Sequence, residues 1–301
     1  MEINEAILQA VEQLNKKGLK NSALEAEILL SDFLGKSRAF ILAHTETKLT
    51  EKQATLFKEL IKKRAKGLPS AYLSGHKEFY GLDFLVNKNV LIPRPETELM
   101  VEEAFNLIKK SSQNNLTIID IGTGSGCIII ALAKLLEAER LSESRKLKLI
   151  AVDISQLALV TAKKNARLNG LAKKIKFVSG NLLDKATSEK IFKDTLVEGS
   201  GLIILANLPY LTPSQIKSSP TIKYEPKLAL DGGSDGLKLY ARFFKQVRSI
   251  SQNRSVSLLC EIDHSQVQKI KKLAQSELPA SDIVIKKDLA GLNRLVIIRI
   301  V

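Results

Sequence analysis

An α/β protein built on a mainly parallel sheet is what this 301-residue sequence predicts. Three observations carry that expectation. Short apolar runs closed by turn residues recur at Leu116–Asp120, Lys148–Val152, Ile175–Val178 and Leu202–Leu205. Runs of this kind read as strands buried on both faces. Stretches of helical periodicity alternate with them, as in βαβ units. Near the C-terminus Ile283–Ile285 and Leu295–Ile300 follow each other directly, which predicts an antiparallel edge pair.

Composition bounds the function. Hydrophobic residues make up 45% and charged residues 26%, ordinary for a soluble globular protein. The length suits one large domain and a smaller one. Cys127–Leu136 is the longest apolar stretch, is interrupted by Lys134, and is too short to span a bilayer. The start, Met1-Glu2-Ile3-Asn4-Glu5, has no basic-then-apolar export pattern. Cys127 and Cys260 form neither a metal spacing nor a disulfide framework. A cytoplasmic setting is therefore expected. No metal site is expected, since His44, His76 and His264 stand alone. The net charge of +14 could steer an acidic partner or nucleic acid. The lysines are spread along the chain, however, as on a solvated surface.

From Ile3 to Lys66 the sequence reads as short amphipathic helices. Ile3, Ile7, Val11 and Leu14 recur at helical spacing. Ser22-Ala-Leu-Glu25 and Thr50-Glu-Lys-Gln53 have the form of capping boxes, and Gly67 sits where a helix stop belongs. A domain of residues 1–72 is expected here, as a recognition lobe or a stability cap. The period then changes across His76–Ile92, where Phe79, Phe84–Val86 and Val90–Ile92 flank a turn at Gly81. A β-hairpin linker over 73–95 is the expectation, followed by a larger domain over 96–301. Ile92-Pro-Arg94-Pro-Glu-Thr97-Glu98 is a stiff extended segment leading into a helix. Thr97 or a neighbouring acid is expected to cap that helix, and a semi-buried Arg94 needs a carboxylate or carbonyl partner.

Chemistry enters at three strand ends. After Asp120 come Gly122-Thr123-Gly124-Ser125-Gly126 and an apolar helix. Glycines there let the backbone approach a ligand at the helix N-terminus. The spacing departs from both the pyrophosphate fingerprint and the Walker pattern. The next strand ends in Asp153, placed to hold ribose hydroxyls. Turn and acid together fit an adenosine ligand without a long phosphate tail, with S-adenosylmethionine the obvious candidate. Gly180-Asn181-Leu182 closes the third strand, where a polar group can meet an adenine amine and Leu182 can cover the ring; an ordinary β–α turn would look the same.

Ala206-Asn207-Leu208-Pro209-Tyr210 follows the run Leu202–Leu205 and faces the crevice in which open α/β sheets bind ligands. The chemistry these residue types suit is alkylation of a planar –NH2 group. Such a nitrogen is a poor nucleophile because its lone pair is delocalised. The Asn207 side-chain carbonyl and the Leu208 backbone carbonyl could grip its two N–H groups. Pro209 helps fix the direction of the Leu208 carbonyl, and Tyr210 could stack on the planar group. The same residues would also serve a strand end that merely turns at a proline. Beyond them, the long stretch from Tyr210 to Gly236, rich in Pro, Ser and Gly, is of a length that is usually functional or disordered.

With these residues in view the chain resembles the bacterial release-factor glutamine methyltransferases over nearly its whole length. The resemblance rests on the N-terminal helices, Pro69–Gly75 with Glu78-Phe79, Ile92–Glu98, Asp120–Gly126, Asp153, the Asn207 tetrapeptide, and Glu225-Pro226 through Gly236. The Arg94 segment is its most diagnostic part; in sibling enzymes that modify a ribosomal protein the Pro-Glu-Thr portion looks different. It implies a seven-stranded Rossmann-like class I methyltransferase sheet with a small N-terminal helical domain. It implies S-adenosylmethionine as donor, bound by Gly122 to Gly126, Asp153, Ile154, Asn181, Leu182 and Asn207. The implied acceptor is the glutamine of a Gly-Gly-Gln tripeptide in peptide-chain release factors, met by Asn207, Leu208, Pro209, Tyr210 and Arg94. Asn207, Pro209 and Tyr210 form the implied catalytic set, in a monomer with no stable nucleic-acid partner. Leu208 replaces a proline of the family's usual Asn-Pro-Pro-Tyr. Asn-Leu-Pro-Tyr is also the form in ribosomal RNA adenine dimethylases, so an adenine-N6 methyltransferase acting on RNA or DNA, or a glutamine methyltransferase of a ribosomal protein, stands as the alternative. A binding module that kept the fold is a third.

Overall fold

A computed structural model describes residues 1–193, 200–219, 221–251, 254–279 and 281–300. Contacts divide the chain into two compact units. The first comprises Met1–His76 with a short later segment that ends at Tyr224. Its helices are α1 (Ile3–Asn15), α2 (Ser22–Leu34), α3 (Arg38–Ala43), α4 (Glu51–Ala65) and α5 (Ser70–Ser74). In α1 the buried stripe is Ile3, Ala6, Ala10 and Leu14, one residue round from the expected one, with Ile7 and Val11 at its margin. Leu29, Leu30, Ile41, Phe57 and Ile61 complete the core.

Both capping predictions are resolved. Thr50 and Gln53 form a reciprocal box at the start of α4, and the Gly67 N–H bonds Arg64 O with φ +96°. The box expected at Ser22 does not form. Asn21 occupies the cap in the left-handed region and the Ser22 hydroxyl turns back to Leu19 O. Glu25 instead makes two bonds, of 2.7 and 3.1 Å, to Arg64 of α4. A fork-shaped ion pair across the bundle is stronger than the single local bond the Glu25 carboxylate would have made.

The second unit holds Lys77–Ser219 and Glu225–Val301. Its first feature is the hairpin of β1 (His76–Phe79) and β2 (Leu82–Leu85). Tyr80 and Gly81 both have positive φ, +53° and +71°, as a two-residue hairpin turn of matching twist requires. Val90–Ile92, expected to add to the hairpin, forms no strand. Phe79 and Phe84 pack edge to face and bury themselves with Met100, Val101 and Ile118 in this unit's core.

The sheet that follows has seven strands: β3 (Asn115–Ile121), β4 (Lys146–Asp153), β5 (Ile175–Ser179), β6 (Gly201–Ala206), β7 (Val256–Glu261), β8 (Asp282–Lys287) and β9 (Asn293–Ile300). Their order is β5-β4-β3-β6-β7-β9-β8. The first five strands pair in parallel, and β9 runs antiparallel between β7 and β8. The antiparallel pair expected from the sequence thus closes one edge. Between these strands run α6 (Glu98–Lys110), α7 (Cys127–Ala138), α8 (Leu141–Ser144), α9 (Gln156–Leu168), α10 (Lys185–Phe192), α11 (Pro213–Ser218), α12 (Lys238–Ile250) and α13 (Val267–Glu277). Among the described residues no helix is long and apolar enough to cross a membrane.

Every residue of β6 is buried. Leu202, Ile204 and Ala206 face one core with Tyr240, Phe243 and Phe244 of α12, while Ile203 and Leu205 face the other with α7. The chain steps outward from β3 to β4 and β5, then returns to β6 on the other side of β3. A crevice opens where the order reverses, at the carboxyl ends of these strands.

Asn165 of α9 fastens the hairpin to that crevice. Its fully buried amide accepts from Leu85 N and donates to Leu85 O and Ser125 O. Asn165→Ala strands three buried backbone groups. The expected loss is about 3 kcal/mol of stability, seen as a lower denaturant midpoint at unchanged slope. A midpoint within experimental error of wild type would show that water replaces the amide.

Candidate active site

The glycine turn after β3 is built on three left-handed residues, Gly122, Gly124 and Gly126. Gly122 N and Thr123 N both bond Val152 O, tying the turn to β4. Gly126 caps α7, where a Cβ would lie 2.9 Å from Ile130 and 3.2 Å from Ala162. Its role is close helix packing, and it does not line the cavity.

Asp153 lies across from this turn. Its Oδ2 accepts from Gly124 N at 2.9 Å and its Oδ1 from Ser155 N at 2.8 Å. Burial raises its pKa, while those two N–H groups draw it back. The carboxylate therefore shapes the turn as well as facing the cavity. Ile154 is half exposed beside it. Leu182 takes the left-handed conformation at φ +58°, and Gly180 has Thr187 so close that no side chain fits.

Asp120 is the group the sequence offered only as a strand end. It is fully buried; Oδ2 accepts from the Thr123 hydroxyl at 2.6 Å, and Oδ1 has no partner. An orphaned carboxylate oxygen beside a second acid favours a cationic ligand group. With a turn that has glycine at 122 and 124, where the backbone lies open, and an apolar wall at Ile154 and Leu182, the residues fit a nucleoside that carries a positively charged tail.

Asn207 follows β6 directly. Its Nδ2 donates to Thr97 Oγ1 at 3.2 Å, which leaves Oδ1 as the free end of the amide. Leu208 is buried, and its side chain occupies the space beside Gly122 that a Cβ would contact. The Tyr240 hydroxyl accepts from Leu208 N at 3.4 Å and donates toward Ala206 O and Glu261 O. Tyr240 was not singled out in the sequence. Its one signal was a hydroxyl-bearing ring on the apolar face of α12, where a buried O–H must find partners.

Tyr210 does not line the cavity. Its hydroxyl donates to Glu261 Oε1 at 3.1 Å at the end of β7. Burial, then the Glu261 charge, push the phenol far above its ordinary pKa, so it stays neutral. Glu261 is itself fully buried with a raised pKa, and its Oε2 has no hydrogen-bond partner.

The stretch after Tyr210 is ordered around the same backbone. A Cβ on Gly232 would lie 2.6 Å from Pro209 O, and one on Gly236 would lie 2.2 Å from Tyr210 O. Gln266 Nε2 donates to Tyr210 O at 2.9 Å. Arg94 finds the partner its position demanded: Nη2 meets Glu225 Oε1 at 2.5 Å, and Glu225 Oε2 accepts from Ile92 N. Thr97, expected as a helix cap, makes no capping bond; Pro95–Thr97 is a 3-10 turn and Thr97 faces Asn207 instead. Glu98 likewise turns away, to accept from Tyr80 N.

At the carboxyl ends of these strands lies a cavity of about 400 Å³. It gathers Gly122 to Ser125, Asp153, Ile154, Asn181, Leu182, Asn207, Leu208, Pro209 and Arg94. Pro226, Leu228 and Ala229, from the long stretch the sequence left open, form its rim, and Arg242 of α12 adds a cation. Among the described residues no group of three or more His, Cys, Asp or Glu side chains is placed to hold a metal.

Burial pushes the Asp120 carboxyl up to about 7, with the Thr123 bond opposing and the Asp153 charge adding to the rise. An acid whose folded pKa lies above its unfolded value holds its proton more tightly when folded. Its stabilising contribution is full below an unfolded pKa of about 3.9 and is lost as pH rises through about 7. In the absence of ligand, Asp120→Asn is expected to flatten the decline of unfolding free energy between about pH 5 and about pH 7. Equal slopes in variant and wild type would assign that decline to other groups.

Residues 5–75 match the PrmC N-terminal domain family and residues 112–283 match a methyltransferase domain family. A release factor glutamine methyltransferase of Bacillus anthracis is 34% identical over 301 residues, 98% of each chain. One of Moorella thermoacetica is 35% identical over 295 residues, covering 98% of this chain and 97% of that one. Among solved structures, the N-terminal domain of human METTL16 in complex with SAH superposes with a TM-score of 0.51 at 18% identity, covering 90% of this chain and 93% of that chain. The catalytic domain of the same protein with a MAT2A 3′UTR hairpin gives 0.54 at 15%, covering 85% and 83%. At that distance they show the shared fold. The near full-length identity to named enzymes goes further: the chain belongs to the release factor glutamine methyltransferase family.

Proposed function

We propose that the protein methylates the side-chain amide nitrogen of the glutamine in the Gly-Gly-Gln motif of peptide-chain release factors, with S-adenosylmethionine as donor. The single observation that carries this reading within the site is Asn207, held so that its amide oxygen is the free end, beside the Leu208 peptide and the glycine turn. Bound S-adenosylmethionine supplies an electrophilic methyl group on a sulfonium centre. The residues that hold it are Gly122 to Ser125, Asp153, Ile154, Asn181 and Leu182, with Asp120 countering the positive tail. Asn207 Oδ1 accepts from one N–H of the incoming glutamine, and the Leu208 carbonyl accepts from the other. Two acceptors keep the nitrogen on line and stabilise the positive charge that grows on it as the N–C bond forms; the methyl's bond to sulfur breaks with its electron pair left on a neutral thioether, and the nitrogen then releases one proton to water.

Tyr210 acts in this scheme as a neutral strut. Its hydroxyl is committed to Glu261, so it braces the segment and leaves the amide plane to Pro209 and the rim residues Pro226 and Leu228. Arg94 and Glu225 fix the rim against the stiff Pro93–Pro95 segment. The helical unit, residues 1–72, is assigned to recognition of the protein substrate and 73–95 to the linker. The protein works as a cytoplasmic monomer without a stable nucleic-acid partner.

The test is transfer of labelled methyl from the donor to a purified release factor, to the same factor with its tripeptide glutamine replaced, and to ribosomal RNA. Label on the intact factor alone is expected; label on RNA instead would hand the site to adenine. Asn207→Ala is expected to lower turnover by about 10²-fold or more, as for loss of one preorganised polar group. Near-normal turnover in that variant would take Asn207 out of the reaction. Asp153→Ala is expected to weaken binding of the donor product roughly tenfold or more, since it removes a charged acceptor and loosens Gly124. Calorimetry on the purified variant reads this directly, and an unchanged dissociation constant sinks the assignment.

A further inference from the structure

We propose that Thr97 is the positioning residue that sets which end of the Asn207 amide meets the acceptor; this rests on the glutamine-methylating reading above. An asparagine side chain presents an oxygen at one end and an NH2 at the other, and the two fill almost the same volume. Only the oxygen end can receive an N–H of the substrate. If the amide turned over, its NH2 would face the substrate nitrogen and repel it. Something must therefore distinguish the two orientations before the substrate arrives.

Thr97 is placed to do so. Its side chain is buried at 2% exposure, lines the cavity, and its Oγ1 lies 3.2 Å from Asn207 Nδ2. A hydroxyl both donates and accepts, so by itself it would tolerate either end of the amide. Glu261 removes that freedom. This carboxyl is fully buried, lies near enough for the Thr97 hydroxyl to lower its pKa, and has one oxygen, Oε2, without a hydrogen-bond partner. No hydrogen bond closes between the two, but the buried carboxyl's field favours the Thr97 O–H pointing its way, which leaves the oxygen lone pairs for the Asn207 Nδ2 that reaches them at 3.2 Å. Only the NH2 end of the amide satisfies them.

The local sequence explains why Thr97 stays in place. Pro93 and Pro95 restrict the backbone on both sides of Arg94, whose guanidinium is tied to Glu225. Thr97 N closes the 3-10 turn onto Arg94 O. On the other side Glu261 is held by the Tyr210 hydroxyl. The same buried acid thus braces Tyr210 and orients Asn207 through Thr97.

The test compares wild type, Thr97→Val, Thr97→Ser, Asn207→Ala and the Thr97→Val/Asn207→Ala double variant, each as the full chain with labelled donor and release factor. Thr97→Val keeps the shape and removes the hydroxyl; Thr97→Ala stands in if it does not fold. The expected result is a fall in kcat of roughly tenfold or more, with KM for the release factor and the dissociation constant for the donor product both within about twofold. Thr97→Ser keeps kcat within about threefold of wild type. On the Asn207→Ala background the Thr97 substitution costs nothing further, because Thr97 acts only through that amide. Wild-type kcat in Thr97→Val overturns the inference while leaving the glutamine reading intact, as do equal losses in Val and Ser or additive losses in the double variant. A wild-type protein that leaves the release factor unlabelled overturns both.

Discussion

The Tyr240 hydroxyl joins the ends of two neighbouring strands, and the geometry of the site depends on it. It donates toward Ala206 O at the end of β6 and Glu261 O at the end of β7, and accepts from Leu208 N. In a parallel sheet the last carbonyls of adjacent strands point out of the ladder with no partner of their own. If left so in a buried setting, each would cost about 1–3 kcal/mol. A single hydroxyl carried on α12 lies within reach of both and shares its one proton between them. That frees the segment beyond β6 to leave the sheet with its peptide groups directed at the crevice. Burial holds the phenol well above its ordinary pKa, so the group remains a donor at any pH the fold survives.

What stands on this clamp is a layered set of constraints. Beneath the acceptor segment lie Tyr240 and Glu261. Alongside it, the close approach of Gly232 and Gly236 leaves no room for a Cβ against the backbone of Pro209 and Tyr210. Gln266 takes the Tyr210 carbonyl, and its own side chain is shared with the cap of α13 through Asp263 N. The segment is therefore gripped on three sides by residues from β7, α12 and the start of α13. Such gripping suits a reaction that depends on position.

How much of this could be read in the sequence follows from the range of each interaction. The glycine turn, Asp153 and the Asn207 segment were legible because each sits at the end of a strand whose apolar run marks it. Topology then brings strand ends together whatever the details. The hairpin was legible in its turn but not in its extent, because Val90–Ile92 is apolar for packing and not for pairing. Thr97 and Ser22 were misread for a shared reason. A hydroxyl before a helix looks like a cap, and local pattern cannot see that Thr97 meets Asn207, 110 residues on, or that Glu25, the other half of the Ser22 box, is taken by Arg64, 39 residues on. Asn165, Glu261 and Tyr240 were invisible on the same ground, and Glu225 entered only through the resemblance, with no sign of its pairing to Arg94. Each is a polar group whose meaning is its distant partner, and only Arg94 announced that a partner was needed.

Leu208 shows how such distant contacts absorb a local change. The resemblance sets this position against a proline, which would restrict the backbone but has no N–H to give. Here the N–H is present and donates to the Tyr240 hydroxyl at 3.4 Å. The leucine side chain, 2% exposed, fills the space against Gly122. Rigidity lost from the ring is thus recovered by a hydrogen bond below and by packing beside the glycine turn.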